Sequence, residues 1–412
     1  MLNVVEMFSG IGSQAKALER QGIEHEILAT CDWDINAIIA YDIIHNGQQD
    51  LDYFLSLDEN EIDKQILRLS ISANGKVALD ENAKRRLKFE TKLRLLSAIQ
   101  RTNNLIDITR VTAKDIPGNC NVLTYSFPCQ DLSNAGFWQG NDGGINRNAN
   151  NRSSLLWQIE RILLQKRERN ANLPRFLLME NVSAIQSQRN ISNFNEWKNI
   201  LFELGYENKV LDLDAVNFGV PQHRTRTFMI SVYCGVNIRR RRYVTNLFEQ
   251  ITEENFPNYF QIHRFTMQDV LRQNYQIETY LTEARESNPN DTVSRRKIRE
   301  ETPFIDVNTE FVPTVTTKQD RFPNSGLIEF DLGFEGKSDF RYLTPRECFM
   351  LMGFDEFDFE QLLNNNFNTG RSHFFTRDKL NRMAGNSICV NVLEHIFRLI
   401  DEIDEHIRVN EI

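Results

Sequence analysis

The sequence predicts an α/β fold with a doubly wound, mostly parallel sheet and a second, smaller domain later in the chain. In the N-terminal third, short apolar runs alternate with helical patterns, as they do where parallel strands and crossover helices follow one another. From about residue 236 this alternation stops, and irregular polar sequence with isolated prolines takes its place. A helical pattern near the C-terminus is amphipathic enough to pack back on the first domain.

The individual elements are predicted from local apolar periodicity and from the residues that bound it. An apolar run before two glycines predicts the first strand, and the amphipathic pattern after those glycines predicts the first helix. The predicted strands are 4–8, 27–31, 122–126, 176–179 and 227–232. The predicted helices begin at Gln14 and span 35–45, 346–352 and 388–400, with a further helical pattern at 83–99 inside a charged insertion from 46 to 104.

The composition is that of an ordinary globular protein and excludes several classes. The 412 residues have room for two or three domains, and no apolar run approaches the ~18 residues that cross a bilayer. The first residues lack the basic start and cleavage site of a secretory signal, so we expect a cytoplasmic protein. Six cysteines without a CxxC pair indicate neither a disulfide scaffold nor a zinc cluster.

The net charge of -9 argues at first against a nucleic-acid partner, because phosphate binding normally leaves a basic footprint. The distribution of charge weakens that objection. Residues 236–322 hold 13 Lys+Arg and 13 Asp+Glu, so the negative charge lies elsewhere in the chain. Basic clusters at 239–242 and 295–297 are suited to meet phosphates.

The first strand runs directly into a glycine turn, with Gly10 and Gly12 before the first helix. Alone, this short pattern fits a plain connecting turn equally well. Asp32 ends the second strand ~20 residues further on, where a carboxylate accepts hydrogen bonds from ribose hydroxyls. Trp33 beside it is suited to stack on a purine. The three-glycine pyrophosphate pattern is missing, so S-adenosylmethionine, which has no phosphate, fits better than NAD or FAD.

Two reactive groups follow neighbouring strands. Cys129 comes directly after the third strand, with Pro128 ahead and a polar loop behind. These surroundings favour an exposed nucleophile over an inert buried thiol. Glu180 ends the next strand, and ligands bind at the carboxyl ends of such strands. A glutamate there that is paired with a nucleophilic cysteine is placed to protonate a substrate ring.

Two arginines precede the strand predicted at 227–232. Arg224 and Arg226 alternate, so we expect them on one face, aimed the same way as the thiol and the carboxylate. The alternative is an exposed edge strand with solvated arginines.

The ordered set of motifs resembles the DNA cytosine methyltransferases that modify carbon 5. The segments that carry the resemblance run in order over nearly the whole chain: Phe8-Ser9-Gly10-Ile11-Gly12, Asp32-Trp33, Asp107-Ile108, Ser126-Phe127-Pro128-Cys129-Gln130, Arg152 to Trp157, Glu180-Asn181-Val182, Gln222 with Arg224 and Arg226, Arg341 to Phe354, and Gly385-Asn386-Ser387. Any one of these segments is short, but the ordered set is very specific.

The resemblance implies a class I methyltransferase (Rossmann-like) fold with an inserted target-recognition domain. The catalytic domain would be 1–235, the target-recognition domain 236–380, and a C-terminal segment, 381–412, would complete the catalytic domain. The implied reaction moves a methyl group from S-adenosyl-L-methionine to carbon 5 of a flipped-out cytosine in double-stranded DNA, leaving S-adenosyl-L-homocysteine.

The resemblance also assigns roles to residues. Cys129 would be the nucleophile that adds to the ring, Glu180 would hold ring nitrogen 3, Arg226 would contact the base carbonyl, and Arg224 would position the loop or the thiol. The implied cofactor contacts are Phe8, Gly10, Gly12, Asp32, Trp33, Asp107, Ile108, Pro128, Leu155, Asn386 and Ser387. The implied DNA contacts are Gln130, Ser133, Gln222 and Arg321, and no metal is expected.

Some features depart from the family pattern. Ser13 and Ser154 stand where glycine is common, and Asp32 replaces a more usual glutamate. Other motifs most resemble bacterial members that methylate CpG, but the sequence after Pro313-Thr314-Val315-Thr316-Thr317 differs from theirs, so that specificity is not carried over.

Three other functions remain as alternatives: a tRNA cytosine methyltransferase, a catalytically silent DNA-binding regulator and a dinucleotide oxidoreductase. We expect a monomer that methylates DNA protectively in a bacterial cell. Bacterial or phage origin and pairing with a cognate restriction endonuclease stay open.

Overall fold

The computed structural model describes residues 1–128, 144–147, 151–319, 321–333, 335–370 and 372–412. This part of the chain forms two compact units. The first contains Met1–Leu213, Thr225–Phe260 and Leu393–Ile412, and the second contains Asp214–Arg224 and Gln261–Val392. The units end at other residues than the predicted domains, whose functional assignment stays a prediction.

The first unit is built on a six-stranded sheet with the strand order β2-β1-β3-β4-β6-β5. The strands are β1 (Leu2–Met7), β2 (His25–Cys31), β3 (Val122–Tyr125), β4 (Phe176–Val182), β5 (Tyr206–Asp214) and β6 (Thr225–Tyr233). Strand β1 pairs in parallel with β2 and β3, β3 pairs in parallel with β4, and β4 pairs antiparallel with β6. The doubly wound, mostly parallel sheet predicted from the sequence is therefore confirmed.

Strand β1 lies at the point where the strand order reverses, with β2 on one side and β3 on the other. In an open α/β sheet, the carboxyl ends of the strands at such a point form a crevice that binds ligands. Val4, Val5 and Met7 of β1 are fully buried, as expected for a parallel strand covered on both faces. The fold alone thus places the ligand site after β1, β2 and β3.

Helices connect and cover the strands of the first unit. They are α1 (Ser13–Arg20), α2 (Ile35–Asn46), α3 (Asp52–Leu55), α4 (Glu59–Arg68), α5 (Glu81–Arg85), α6 (Phe89–Arg101), α7 (Leu156–Glu168), α8 (Ile191–Glu203) and α9 (Ile238–Gln250). The helical pattern predicted at 83–99 is interrupted between α5 and α6. The basic run at 239–242, expected in the second domain, lies in α9 of the first unit.

The second unit is mainly helices and irregular chain. Its helices are α10 (Met267–Val270), α11 (Glu278–Ser287), α12 (Val293–Glu301), α13 (Pro345–Leu351), α14 (Glu356–Asn364) and α15 (Arg377–Asn386), and its short strands β7 (Ile328–Glu329) and β8 (Phe340–Arg341) pair antiparallel. Helix α16 (Val390–Val409) ends the chain. Among the described residues, no helix is both long and apolar enough to cross a membrane.

A buried ion pair fixes the start of α13 in the second unit. Arg341 and Glu347 have fully buried side chains, and the guanidinium meets the carboxylate at 2.8 Å through both of its terminal nitrogens. Thr344 caps the helix, and its backbone N–H donates to the same carboxylate. The segment from Arg341 to Phe354 is thus held at its start by a bidentate ion pair.

Candidate active site

The chain leaves β1 through a left-handed turn. Phe8, Gly10 and Gly12 have φ values of 59°, 55° and 83°. A Cβ added at Gly10 would meet no atom within 4 Å, whereas one at Gly12 would lie 2.1 Å from Nε2 of His45. Gly10 therefore leaves open space beside the turn, whereas Gly12 is packed against His45 of α2.

Asp32 ties this turn to the end of β2. Its carboxylate accepts hydrogen bonds from the backbone N–H of Gly10 at 3.0 Å and of Asp34 at 2.9 Å. Burial raises the pKa of Asp32 to about 7, and the nearby Asp34 charge adds to the rise. The Trp33 backbone also hydrogen bonds to this carboxyl, and since a carboxylate has about four acceptor sites, the group retains one for a ligand hydroxyl. Trp33 is half-buried beside it.

Asp107 and Ile108 follow a short parallel bridge between Thr30 of β2 and Asn104. Burial alone would raise the pKa of Asp107, but hydrogen bonds from the side chains of Thr109 and Ser70 and from the Thr109 backbone lower it below its ordinary value. Ile108 is buried in the apolar core. Asp107 is thus an ionised acceptor near the end of β2.

The chain that leaves β3 is held by two side chains. Asn181 donates to the carbonyl of Phe127 at 2.9 Å, and Ser153 donates to the carbonyl of Pro128 at 2.7 Å. Pro128 is half-buried, and Leu155 packs as a partly buried side chain against the core. The next residue, the predicted nucleophile Cys129, lies outside the described residues together with Gln130 and Ser133.

Glu180 and Arg226 meet at the carboxyl end of β4. Arg226 Nε lies 3.5 Å from Glu180 Oε1, and their side chains are 19% and 13% exposed. The antiparallel register that pairs Val182 with Arg226 brings them together. Glu180 precedes Asn181, which holds Phe127, so a carboxylate and a guanidinium are built next to the segment that leads into Cys129.

Arg224 and Gln222 belong to the second unit, and both side chains are buried there. Arg224 donates to the carbonyls of Val315 at 3.0 Å, Gly385 at 3.0 Å and Ser387 at 2.7 Å. Gln222 donates to the carbonyl of Leu351 at 2.7 Å and accepts from the Val315 N–H at 2.8 Å.

These contacts hold Arg224 in place, in keeping with the positioning role implied for it, and the DNA contact implied for Gln222 stays a prediction. Arg224 directly precedes β6 and Arg226 lies in it, and the predicted placement of both on one face stays a prediction. The alternative of solvated arginines on an edge strand is wrong, because β6 lies between β4 and β5.

The turn after α15 carries two predicted cofactor contacts, Asn386 and Ser387. Asn386 is exposed, and Ser387 is buried with its hydroxyl donating to the Met383 carbonyl at 2.8 Å. A Cβ at Gly385 would lie 2.4 Å from the backbone nitrogen of Thr317. The turn is therefore packed tightly on the 313–317 segment of the second unit.

Arg321, a predicted DNA contact, lines an open cavity of about 840 Å³ in the second unit. Its guanidinium lies 3.7 Å from Asp378, with both side chains more than half exposed. Arg295, Lys297 and Lys337 line the same cavity, so its wall is rich in cations.

Sequence reasoning did not single out several residues that shape the site. Ser153 lies in a recognised segment but received no role, and His45 at the end of α2 gave no local signal. A segment of the 46–104 insertion also reaches the end of β2, and nothing in its sequence indicated that contact. Among the residues that the structure describes, no group of His, Cys, Asp and Glu is arranged to hold a metal ion.

Comparison with known proteins decides the family. The model of the C-5 cytosine-specific DNA methylases matches residues 80–402 of the chain. The chain belongs to the C-5 cytosine-specific DNA methylase family. It is therefore a DNA (cytosine-5-)-methyltransferase, as the resemblance implied, and DNA is the substrate class of its family.

Two relatives cover the methylase over nearly its full length. The chain is 32% identical to the orphan methyltransferase M.SssI of Spiroplasma monobiae, with 96% of each chain covered. It is 30% identical to the type II methyltransferase M2.ScrFI of Lactococcus lactis subsp. cremoris, over 97% of this chain and 98% of the relative.

Solved structures confirm the class I methyltransferase fold. The S. pombe Dnmt2 methyltransferase matches with a TM-score of 0.62 and 18% identity, covering 98% of this chain and 99% of that one. The Entamoeba histolytica methyltransferase EhMeth matches with a TM-score of 0.55, 18% identity and the same coverage.

Proposed function

We propose that this methylase transfers a methyl group from S-adenosyl-L-methionine to carbon 5 of a flipped-out cytosine in duplex DNA, through a covalent adduct with Cys129. The observation that supports it most is the Glu180–Arg226 pair at the carboxyl end of β4. Asn181, the neighbour of Glu180, holds the chain two residues before Cys129. An acid and a cation thus lie next to the segment that leads into the proposed nucleophile.

The residues after β1 and β2 fit a nucleoside cofactor without phosphate. Gly10 leaves open space beside a left-handed turn, and the Asp32 carboxylate beside it is placed to accept a hydrogen bond from a ligand hydroxyl. We propose that Phe8, Gly10, Gly12, Asp32, Trp33 and Asp107 hold the cofactor, with Pro128, Leu155, Asn386 and Ser387. Ile108 would contribute only as buried support. When bound, the cofactor supplies an electrophilic methyl group on sulfur.

The chain's own groups then activate the cytosine. Carbon 5 is too weak a nucleophile until the thiolate of Cys129 forms a bond to carbon 6 and drives the ring electrons toward carbon 5. Glu180 delivers a proton to ring nitrogen 3, which neutralises the charge that this addition places on the ring. Arg226 holds Glu180 and contacts the base carbonyl.

Carbon 5 takes the methyl group as the carbon–sulfur bond of the donor breaks. Loss of the carbon 5 proton to a base then expels the thiolate. Carbon 6 is out of reach inside a stacked duplex, so the base must be flipped out at a cost of a few kcal/mol. We propose that Gln130 and Ser133 contact DNA near that opening, and that Arg321 contacts it from the second unit.

The biological role we propose is protective methylation in a bacterial cell, acting on DNA in the cytoplasm as a monomer. The names of the relatives, one an orphan and one a type II methyltransferase, support this role with or without a cognate endonuclease. Bisulfite sequencing of DNA from cells that express the chain would reveal the modified sequence.

Methyl incorporation from labelled cofactor tests the proposed reaction. Wild-type protein should label duplex DNA and not tRNA, and Cys129→Ala should abolish labelling. Cys234 offers a matched control, because its thiol is buried in the first unit and Cys234→Ala should retain labelling. Labelling of tRNA alone, or full activity of Cys129→Ala, would contradict the proposal.

A further inference from the structure

The 46–104 insertion contains a loop that pairs with the chain between β2 and α2. This loop, Leu69 to Leu79, connects α4 and α5. The Ser72 N–H donates to the Trp33 carbonyl at 2.7 Å, and the Ile35 N–H donates to the Ser72 carbonyl at 2.9 Å. Ser72 therefore forms a parallel bridge with Asp34 and satisfies the backbone on both sides of it.

Hydrogen bonds within the loop hold it in a defined conformation beside Asp34. The Leu79 N–H donates to the Ile71 carbonyl at 2.8 Å, and the Ser72 hydroxyl donates to the Val77 carbonyl at 2.7 Å. Ile71 and Ser72 are fully buried. A buried and internally hydrogen-bonded segment of this kind has a defined position, unlike a solvated surface insertion.

Further contacts connect the loop to α2 and to Arg152. The Asn36 amide donates to the Ala73 carbonyl at 3.0 Å. The Gly75 carbonyl accepts from Arg152 at 3.4 Å, and a Cβ at Gly75 would lie 3.3 Å from Asp34 Oδ2.

One side chain of the loop lies near a proposed cofactor contact. Ser70 lowers the pKa of Asp107, whose carboxylate accepts from the Thr109 hydroxyl at 2.6 Å. The loop thus contacts Trp33 through its backbone and lies beside Asp107, two residues on separate segments of the first unit.

We propose that the Leu69–Leu79 loop is a wall of the cofactor site and positions Trp33 and Asp107 around the adenosine part of S-adenosylmethionine. This inference rests on the proposed function. It assigns a binding role to an insertion whose sequence indicated none, and it makes cofactor affinity depend on the loop. Helices α3 and α4 of the same insertion do not take part.

Hydrogen exchange of the whole protein, with and without saturating S-adenosylmethionine, tests the wall directly. Exchange should slow at residues 69–79 together with residues 8–14, and stay unchanged at 52–66 in the rest of the insertion. Slowing at 8–14 alone would overturn the wall while leaving the cofactor site intact. No change at either segment would overturn both proposals.

A pair of serine variants measures the contribution of Ser70. Ser70→Ala should weaken cofactor binding in equilibrium dialysis about tenfold and raise its KM similarly, with kcat nearly unchanged, because a hydrogen bond to a charged group is lost. Ser70→Thr keeps the hydroxyl and should restore binding.

Ser56 is the matched control. It lies in the same insertion and its hydroxyl donates to the local Tyr53 carbonyl, so Ser56→Ala should bind like wild type. Unchanged binding in Ser70→Ala, or a fall in kcat with KM unchanged, would overturn the positioning role.

Discussion

Three glycines with left-handed backbone, two in the turn after β1 and one after α1, allow packing to be tested separately from ligand binding. Gly10, Gly12 and Gly22 have φ values of 55°, 83° and 61°. An added methyl group meets no atom within 4 Å at Gly10 or Gly22, but at Gly12 it would lie 2.1 Å from His45 Nε2 and 2.7 Å from Tyr41 Cε2. Alanine therefore tests backbone strain alone at Gly22, strain with a steric clash at Gly12, and strain beside the proposed cofactor at Gly10.

The magnitudes follow from these distances. A left-handed alanine costs roughly 1–2 kcal/mol, so Gly22→Ala and Gly10→Ala should each lower the free energy of unfolding by about that much. At Gly12 the His45 ring must also withdraw and lose its 3.1 Å hydrogen bond to the Ile11 carbonyl. Overpacking of roughly 1–3 kcal/mol and a lost hydrogen bond of about 1 kcal/mol bring the total near 3–6 kcal/mol.

Urea unfolding and equilibrium dialysis with S-adenosylmethionine distinguish the three variants. Gly12→Ala should lose the most stability. Gly10→Ala should lose no more stability than Gly22→Ala but should lose cofactor affinity, whereas Gly22→Ala should keep full affinity. If Gly12→Ala were no less stable than Gly22→Ala, the packing of the turn on His45 would be refuted. Normal cofactor affinity in Gly10→Ala would refute the turn as the cofactor site.

Three further predictions concern buried charges. Glu347→Gln should lower the free energy of unfolding by about 3–5 kcal/mol, because Arg341 is left as a buried unpaired charge. Adding Arg341→Met should recover part of this loss. An unchanged urea concentration at the midpoint of unfolding would contradict the prediction. Burial raises the pKa of Glu6 to about 8, so between pH 4.5 and 8 the carboxyl ionises in the unfolded state but not in the folded state. The free energy of unfolding of the wild type should therefore fall in this range by up to about 1.4 kcal/mol per pH unit relative to Glu6→Gln. If the free energies of unfolding of the two proteins changed in parallel with pH, the prediction would be contradicted. Arg224→Met should lower the free energy of unfolding by about 2–4 kcal/mol, because the hydrogen bonds to three carbonyls are lost. Arg224→Lys should not restore stability, because an ammonium group cannot reach the three carbonyls in the guanidinium geometry. A lysine variant as stable as wild type would refute the role of these hydrogen bonds.

Local sequence patterns predicted the parts of the site that lie on or directly after strands. Gly10 and Asp32 were paired from their spacing around two strands, and the structure joins them by a hydrogen bond. Glu180 was placed from the end of an apolar run, and β4 does carry it at its carboxyl end. Strand ends are predictable in this way because apolar periodicity and glycine turns are local signals.

The parts that sequence reasoning missed depend on distant contacts. Arg224 and Arg226 alternate around the start of β6 at Thr225, but alternation gives a direction and does not identify a partner. Arg224 instead meets carbonyls at Val315 and Ser387, far along the chain. Ser72 pairs with the chain beside Asp34 through its backbone, which leaves no mark on the residue types.

A covalent trap tests the central claim, catalysis through a Cys129 adduct with cytosine, most directly. Duplex DNA that carries 5-fluorocytosine at the methylated position has fluorine where the carbon 5 proton must leave, so elimination cannot follow methyl transfer. Wild-type protein with S-adenosylmethionine should give a denaturant-stable protein–DNA complex, and mass spectrometry should locate the linkage at Cys129. No stable complex with active protein, or a linkage at another residue, would contradict the mechanism.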